Sequence, residues 1–325
     1  MKIVVFGAKS TTRLLFNHLV DLGTNPGIVT ISAPLAERNF VADFDDLSDL
    51  EPGADFYYVA ESYSLKSEKD QEFFAKLKGC AGFVAGWQRI IPDFVLDTFE
   101  AGVFGMHGSS KDLPFGRGRS PINWSIIEGR RWFFTDLFKY EPGVDDGPIV
   151  EKSVFSINIE DTAETLHYKN ISAMKHLVSR NIKMIAACQI QTTPQGEGEP
   201  TYYPKRSPED SILDWLQDIY SLSRHIRAVT RPFNGAFSYI DNQFVRIWRA
   251  GIFYTDIEDH PFVDQSAGTI CEVFPNGKFL VATVGGVLIV HDYESAIPLE
   301  KGQTFVSPAD LIRQFPVNLT GGFDN

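Results

Sequence analysis

The chain has 325 residues, 43% of them hydrophobic and 13% aromatic, and its formal net charge is −12. A chain of this length can bury a large core and typically forms two domains, while the excess of acidic residues disfavours nucleic acid as a partner. Since no apolar run approaches the roughly 20 residues that cross a bilayer, a membrane partner is not expected.

The first part of the chain alternates short apolar runs with helical patterns, which is typical of a mostly parallel sheet covered by helices. Four strands are predicted at KIVVFG, GIVTISA, FYYVA and CAGFVAG. Helices are predicted at TTRLLFNHLVDLG and SEKDQEFFAKLKG. Because the chain starts with a strand and a helix rather than with a signal peptide, we expect a cytoplasmic protein.

The following segments continue the pattern. IPDFVLDTFE predicts a helix, and AGVFGMH predicts a strand that ends at His107. WFFTDLFKY and GPIVEKSVFSI predict further strands of the same sheet. Residues 161–188 have the amphipathic pattern of a long helix, whose predicted buried stripe is Leu166, Ile171, Met174, Leu177, Ile182 and Ile185.

The composition changes in residues 192–210, where polar and turn-forming residues predict an exposed linker. Residues 211–230 predict one helix. Alternating strands follow, with hairpin signals at Asp241-Asn242 and Asn276-Gly277. The sequence therefore predicts an α/β, Rossmann-like catalytic domain over residues 1–200. A helix and a small OB-like β-barrel are predicted over residues 201–325.

Two common kinds of site are not indicated. The cysteines Cys80, Cys188 and Cys271 lie far apart without CxxC spacing, so we expect neither disulfides nor a metal. The turn after the first strand, FGAKSTTRL, has one glycine and lacks the GxGxxG pattern of nicotinamide and flavin sites. Lys9 in this turn and its neighbouring N–H groups could contact a phosphate, or Lys9 could be a solvated turn residue.

His107 is the first candidate for chemistry, because it follows an apolar strand and enters a loop at the edge where open α/β folds bind ligands. Asp145 and Asp146 lie in the Gly-rich turn YEPGVDDGPIV between two later strands. A carboxylate that fixes the imidazole tautomer would make an acid/base pair with His107. The spacing leaves open which aspartate is the partner, and either could serve only the turn.

These stretches resemble the formyltransferases that use 10-formyltetrahydrofolate. HGSSKDLPFGRGRSP looks like the family pattern HxSLLPxxRGxxP with a two-residue insertion, and RGRSPINW is similar to domains that modify 4-amino sugars on nucleotides. The family's DxG turn matches residues 145–147 and favours Asp145 over Asp146. AGWQRIIP resembles the segment that lines the folate pocket. RAVTRPFNGAFSYI, FVRIWRA and GTICEVFPNGKFLVATVGGVLIV resemble the family's C-terminal barrel.

The resemblance implies a function and a set of site residues. The formyl group of 10-formyltetrahydrofolate, as co-substrate and without a metal, would pass to the amino group of a UDP- or dTDP-linked amino sugar in surface-glycan or nonulosonate biosynthesis. The implied catalytic residues are His107, Asp145 and Asn123. The implied folate contacts are Gly86, Trp87, Arg89, Ile90, Val144 and Asp145, and the implied sugar-nucleotide contacts are Lys9, Ser109, Arg117 and Asn123.

Two other functions remain open. Methionyl-tRNA formyltransferases share the fold and the C-terminal barrel, but the net charge of −12 and the absence of a basic stripe disfavour a tRNA substrate. A non-catalytic protein that binds folate and a nucleotide sugar is the alternative of another class. The sequence leaves the sugar, the nucleotide and the oligomeric state open, including a homodimer.

Gly105 departs from the family pattern. Formyltransferases usually have an asparagine two residues before the histidine, whose amide donates a hydrogen bond to the developing oxyanion. The replacement candidates in the sequence are the hydroxyls of Ser109 and Ser110, the backbone N–H groups of residues 109–112 and the amide of Asn123. A protonated His107 is a further candidate.

Overall fold

The computed structural model describes residues 2–41 and 43–315. Two compact units divide the chain. The first consists of Met1–Arg117, Phe134–Phe155 and Asn170–Pro200, and the second of Gly118–Phe133, Ser156–Lys169 and Thr201–Asn325. Two segments of the first 200 residues therefore cluster with the C-terminal part of the chain. The predicted domain boundary at residue 200 stays a prediction.

The first unit is built on a seven-stranded sheet. Its strands, with the short strand β6 that lies outside the sheet, are β1 (Ile3–Phe6), β2 (Gly27–Ile31), β3 (Tyr57–Ala60), β4 (Gly79–Val84), β5 (Phe99–Ser109), β6 (Arg117–Gly118), β7 (Trp132–Lys139) and β8 (Ile149–Ser156). The order in the sheet is β3-β2-β1-β4-β5-β7-β8. The strands from β3 to β5 are parallel, and β7 pairs antiparallel with β5.

The two parallel strands β1 and β2 are buried on both faces. Every residue of β1 and β2 is buried, as expected for continuous apolar runs that helices cover on both sides. The helices of the chain are α1 (Ser10–Asp21), α2 (Ala33–Arg38), α3 (Glu68–Lys76), α4 (Asp93–Leu96), α5 (Pro121–Ile127), α6 (Ala163–Ala186) and α7 (Ile219–Val229). The predicted stripe of α6 is buried throughout, from Leu166 to Ile185. In open α/β folds, ligands bind at the carboxyl ends of such parallel strands.

The second unit contains a five-stranded antiparallel sheet. After the short strand β9 (Tyr202–Tyr203), its strands are β10 (Ala236–Ile240), β11 (Gln243–Thr255), β12 (Ile270–Val273), β13 (Phe279–Thr283) and β14 (Gly286–Ser295), in the order β10-β11-β14-β13-β12. The register between β11 and β14 shifts at three places, and such bulges bend long strands toward closure. The predicted α/β domain with a small β-barrel is confirmed.

Two predicted helices are shorter in the structure. Over IPDFVLDTFE only Asp93–Leu96 is helical, and β5 already begins at Phe99. The helix predicted over residues 211–230 begins at Ile219, because the Asp218 carboxylate accepts hydrogen bonds from the N–H groups of Tyr220 and Ser221 and caps the helix there.

No helix in the described parts of the chain is long and apolar enough to span a membrane. Within the same residues, no group of three or more His, Cys, Asp and Glu side chains could hold a metal ion.

Candidate functional site

His107 and Asp145 meet at the carboxyl end of β5. The Nδ1 atom of His107 lies 3.3 Å from Oδ2 of Asp145, and the histidine side chain is only 7% exposed. β5 carries His107 to the sheet edge, and Asp145 enters from the turn between β7 and β8. The structure thus brings together the two residues that the sequence predicts as an acid/base pair.

Both ring nitrogens of His107 face hydrogen-bond acceptors. Nε2 lies 2.9 Å from the carbonyl oxygen of Gly116, while Nδ1 faces the carboxylate of Asp145. A carbonyl oxygen can only accept a hydrogen bond, so Nε2 carries a hydrogen and donates a hydrogen bond to the Gly116 carbonyl oxygen. One acceptor on each side of the ring therefore orients the imidazole.

The turn that carries Asp145 has little conformational freedom. Asp145 has a φ of 51°, in the left-handed region that aspartate and asparagine tolerate better than most residues. At Gly147 an added Cβ would lie 1.7 Å from the carbonyl oxygen of Lys139, so only glycine fits against β7. The tight turn places the Asp145 carboxylate at His107.

Gln195 holds this turn by hydrogen bonds. Its Nε2 donates hydrogen bonds to the carbonyl oxygens of Asp145 and Gly147, at 2.7 and 2.9 Å. Its Oε1 accepts a hydrogen bond of 2.7 Å from Nη2 of the buried Arg117. Gln195 lies in the polar segment that predicts only a linker, and nothing in its local sequence distinguishes it. It is a positioning residue for Asp145.

Arg117 has one further donor at the site. Its Nε is buried and has no hydrogen-bond partner within residues 2–41 and 43–315. A buried guanidinium N–H without an acceptor is costly. The predicted contact of Arg117 to the sugar nucleotide stays a prediction.

Asp136 is a second buried carboxyl beside His107. The two residues are paired across β5 and β7, so their side chains share one face of the sheet. Burial raises the pKa of Asp136 to about 6, the charge of Asp112 adds to the rise, and the charges of Lys152 and His107 oppose it. No sequence motif marks Asp136 as a site residue.

The predicted folate segment follows β4 and packs against the turn after β1. Gly86 has a φ of 81°, and an added Cβ would lie 2.8 Å from Cβ of Lys9. Trp87 lies in the core, edge-on to Tyr63 with ring centroids 4.9 Å apart. Its Nε1 is buried and has no hydrogen-bond partner in the described part of the chain. A buried indole N–H usually has a hydrogen-bond partner, and the contact of Trp87 to folate stays a prediction.

The other predicted contacts differ in exposure. Ile90 is 63% exposed, and Arg89 lies over the Tyr63 ring at 5.1 Å, with Nη2 donating to Oδ1 of Asn39. Val144 is half-buried in the Asp145 turn. Ser109 is buried at the end of β5, and its hydroxyl oxygen accepts a hydrogen bond from the N–H of Lys111.

Asn123 belongs to the second unit. It is buried in α5, and its Nδ2 donates a 2.7 Å hydrogen bond to the carbonyl oxygen of Ala228 in α7. This contact ties two helices of the second unit together. The amide thus has a structural task within that unit, and its roles in catalysis and substrate binding stay predictions.

Family models match most of the chain. The model described as formyl transferase matches residues 1–182, and the model of the formyl transferase C-terminal domain matches residues 205–300. The chain belongs to the formyl transferase family. The resemblance drawn from the sequence is thereby confirmed, since the matched ranges include both His107 and the β-barrel.

Solved structures of formyltransferases share the fold. An N-formyltransferase from Helicobacter canadensis in complex with folinic acid and dTDP-3-aminofucose is 16% identical, with 90% of this chain and 100% of that chain covered and a TM-score of 0.65. HypX from Aquifex aeolicus in complex with tetrahydrofolic acid is 15% identical; the alignment covers 96% of this chain and 47% of HypX, with a TM-score of 0.62. Methionyl-tRNA formyltransferase from Clostridium thermocellum is 20% identical, with coverages of 78% and 94% and a TM-score of 0.52.

Proposed function

We propose that this formyltransferase transfers the formyl group of 10-formyltetrahydrofolate to the amino group of a nucleotide-linked amino sugar. The contact between His107 and Asp145 at the carboxyl edge of the sheet carries the proposal. The structural likeness to an N-formyltransferase in complex with folinic acid and a dTDP-linked amino sugar supports the choice of donor and acceptor. The net charge of −12 supports a small acceptor over tRNA.

The site residues fit a pterin donor. The buried Nε1 of Trp87, without a partner in the described residues, would donate to the donor molecule, and Gly86, Arg89, Ile90 and Val144 would line its pocket. The donor supplies the formyl group, bound to its N10 nitrogen. Lys9 and Arg117 would face the phosphates of the acceptor, and Ser109 would contact its sugar.

The chemistry requires one proton to move. A bond forms between the acceptor nitrogen and the formyl carbon, the bond from that carbon to N10 breaks, and the proton lost by the acceptor nitrogen is needed at N10. His107 is placed to carry this proton, because Asp145 holds Nδ1 and stabilises the imidazolium. Nε2 donates a hydrogen bond to the Gly116 carbonyl oxygen here. During transfer it would leave that contact, give its proton to N10 and then accept the proton lost by the acceptor nitrogen.

Steady-state assays with a panel of acceptors test the proposal. The purified chain is supplied with 10-formyltetrahydrofolate and, in separate reactions, with UDP- and dTDP-linked 3-amino and 4-amino sugars or with methionyl initiator tRNA. Release of tetrahydrofolate is followed by absorbance, and the formylated product by mass spectrometry. We expect formylation of at least one sugar nucleotide. Turnover of the tRNA alone, or of none of these acceptors, would refute the proposal.

A further inference from the structure

The aromatic ring of Tyr140 fills the space beside Gly105. A Cβ added to Gly105 would lie 2.1 Å from Cε1 of Tyr140 and 2.9 Å from its hydroxyl oxygen. Tyr140 directly follows β7, its N–H donates a 2.7 Å hydrogen bond to the carbonyl oxygen of Val103, and its ring stacks on Phe138 with centroids 5.2 Å apart. The strand pairing thus holds the ring where any side chain at position 105 would have to be.

The Tyr140 hydroxyl lies on the face of β5 that carries His107. Residues two apart on a strand point to the same side and are separated by about 6.6 Å. Gly105 and His107 have this spacing, and the Tyr140 ring lies over Gly105. The hydroxyl is therefore within reach of a small group that contacts His107.

The environment keeps this hydroxyl protonated. Burial raises the pKa of Tyr140 well above its ordinary value, and the negative charge of Asp145 adds to the rise. No hydrogen bond from the hydroxyl to another group is present in residues 2–41 and 43–315. Tyr140 is a neutral hydrogen-bond donor beside the acid/base pair.

We propose that the Tyr140 hydroxyl donates a hydrogen bond to the formyl oxygen as that oxygen gains negative charge during transfer. The assignment rests on the proposed function. A donor already in place costs no reorganisation at the moment of reaction, and one such donor typically contributes about 10² to 10³ in rate. The absence of a side chain at Gly105 then has a physical reason, because only glycine admits the ring.

One of the other donors suggested by the sequence is already engaged in this structure. The Nδ2 group of Asn123 donates to the carbonyl oxygen of Ala228 within the second unit. Tyr140 had no signal in the sequence, because its approach to Gly105 depends on the pairing of β7 with β5.

Four variants test the assignment by steady-state kinetics on the intact chain. Tyr140→Phe keeps the ring and removes the hydroxyl, and we expect its kcat to fall by about 10². Its KM for the donor and its melting temperature should stay near those of the wild type. Tyr220→Phe, at an exposed tyrosine of the second unit, is the matched control and should keep wild-type kcat.

The remaining two variants separate a catalytic role from a structural one. Tyr140→Ala opens the space beside Gly105, and Gly105→Asn combined with Tyr140→Ala places an amide donor there. We expect the double variant to be at least about tenfold faster than Tyr140→Ala, a partial return of one donor's contribution. An unchanged kcat in Tyr140→Phe overturns the assignment and leaves the proposed function intact. A wild-type chain that formylates no acceptor overturns both.

Discussion

Trp87 and Trp215 are two buried indoles with opposite hydrogen bonding. Trp87, near the carboxyl edge of the sheet, is 7% exposed, and its Nε1 has no partner among the residues that the structure describes. Trp215, in the barrel unit, is 5% exposed, and its Nε1 donates 2.9 Å to Ser238, whose hydroxyl donates to the carbonyl of Val306. The two indoles are thus similarly buried, but Nε1 of Trp215 belongs to a hydrogen-bond network, whereas Nε1 of Trp87 has no partner among the described residues.

The two indoles are therefore expected to respond differently to substitution. Buried polar groups are normally paired, and an unpaired one costs about 1 to 3 kcal/mol. Unpaired buried atoms lie at the sheet edge on Trp87, Asp136 and Arg117, and in the second unit on His225, Arg246 and His291. We expect loss of the His107, Asp145 or Gln195 side chain at the sheet edge to change activity more than stability, and loss of the Trp215 hydrogen bond in the barrel to do the reverse.

The largest expected change in kcat is that of an Asp145 variant. Asp145→Asn removes the charge that stabilises the imidazolium of His107, and its kcat should fall at least about 100-fold, as in other histidine–carboxylate pairs. Asp146→Asn, at the exposed neighbouring position, is the control and should stay within about threefold of the wild type. The reverse order in kcat would mean that the wrong aspartate has been assigned.

Asp136 is expected to affect the pH dependence of folding stability. Its folded-state pKa of about 6 lies above the ordinary value of 3.8, so the folded chain favours the protonated form. The stability that this preference contributes is present below pH 4 and is lost as the pH rises through 6. The difference between the two values corresponds to about 3 kcal/mol.

Asp136→Asn should therefore stabilise the chain at pH 7 by up to about 3 kcal/mol, and the gain should vanish near pH 4. Urea unfolding of both proteins at several pH values measures this. A gain that does not depend on pH would show that the Asp136 carboxyl is not titrating as described.

A Gln195 variant tests whether the turn of Asp145 needs the hydrogen bonds that Gln195 donates to it. Gln195→Ala removes hydrogen bonds to two turn carbonyls and to Arg117, and we expect kcat to fall about tenfold through a misplaced carboxylate. The donor KM should change less. Gln189→Ala, at an exposed glutamine, should match the wild type. A loss of stability without a loss of kcat would make Gln195 a purely structural residue.

The smallest expected effects come from the tryptophans themselves. Trp215→Phe should lower stability by about 1 kcal/mol more than Trp87→Phe, because only Trp215 loses an intramolecular hydrogen bond. Trp87→Phe should weaken the binding of 5-formyltetrahydrofolate, a stable analogue of the donor, about fivefold. Thermal unfolding and calorimetric titration give the two quantities. Equal effects of both variants on binding would remove the contrast between the two regions.

The strands of the sheet could be predicted because they depend on local patterns, and the choice of Asp145 as the partner of His107 came from the resemblance to the formyltransferases. Apolar runs predict the strands, and the residue after a parallel strand lies at the ligand-binding edge. Tyr140, Asp136 and Gln195 escaped prediction because their positions depend on strand register and on a long return of the chain. The apolar pattern predicts an earlier start for α7 than the structure shows, because it takes no account of the cap that Asp218 provides.

The central claim is that His107 carries the proton during formyl transfer at the sheet edge. The most direct measurement compares purified His107→Asn with the purified wild type. For each protein, kcat for formyl transfer and the Kd for 5-formyltetrahydrofolate are measured. We predict a fall in kcat of at least about 100-fold, a Kd within about threefold of the wild type, and no change in His176→Asn, at an exposed histidine. Near-normal turnover of His107→Asn would contradict the account.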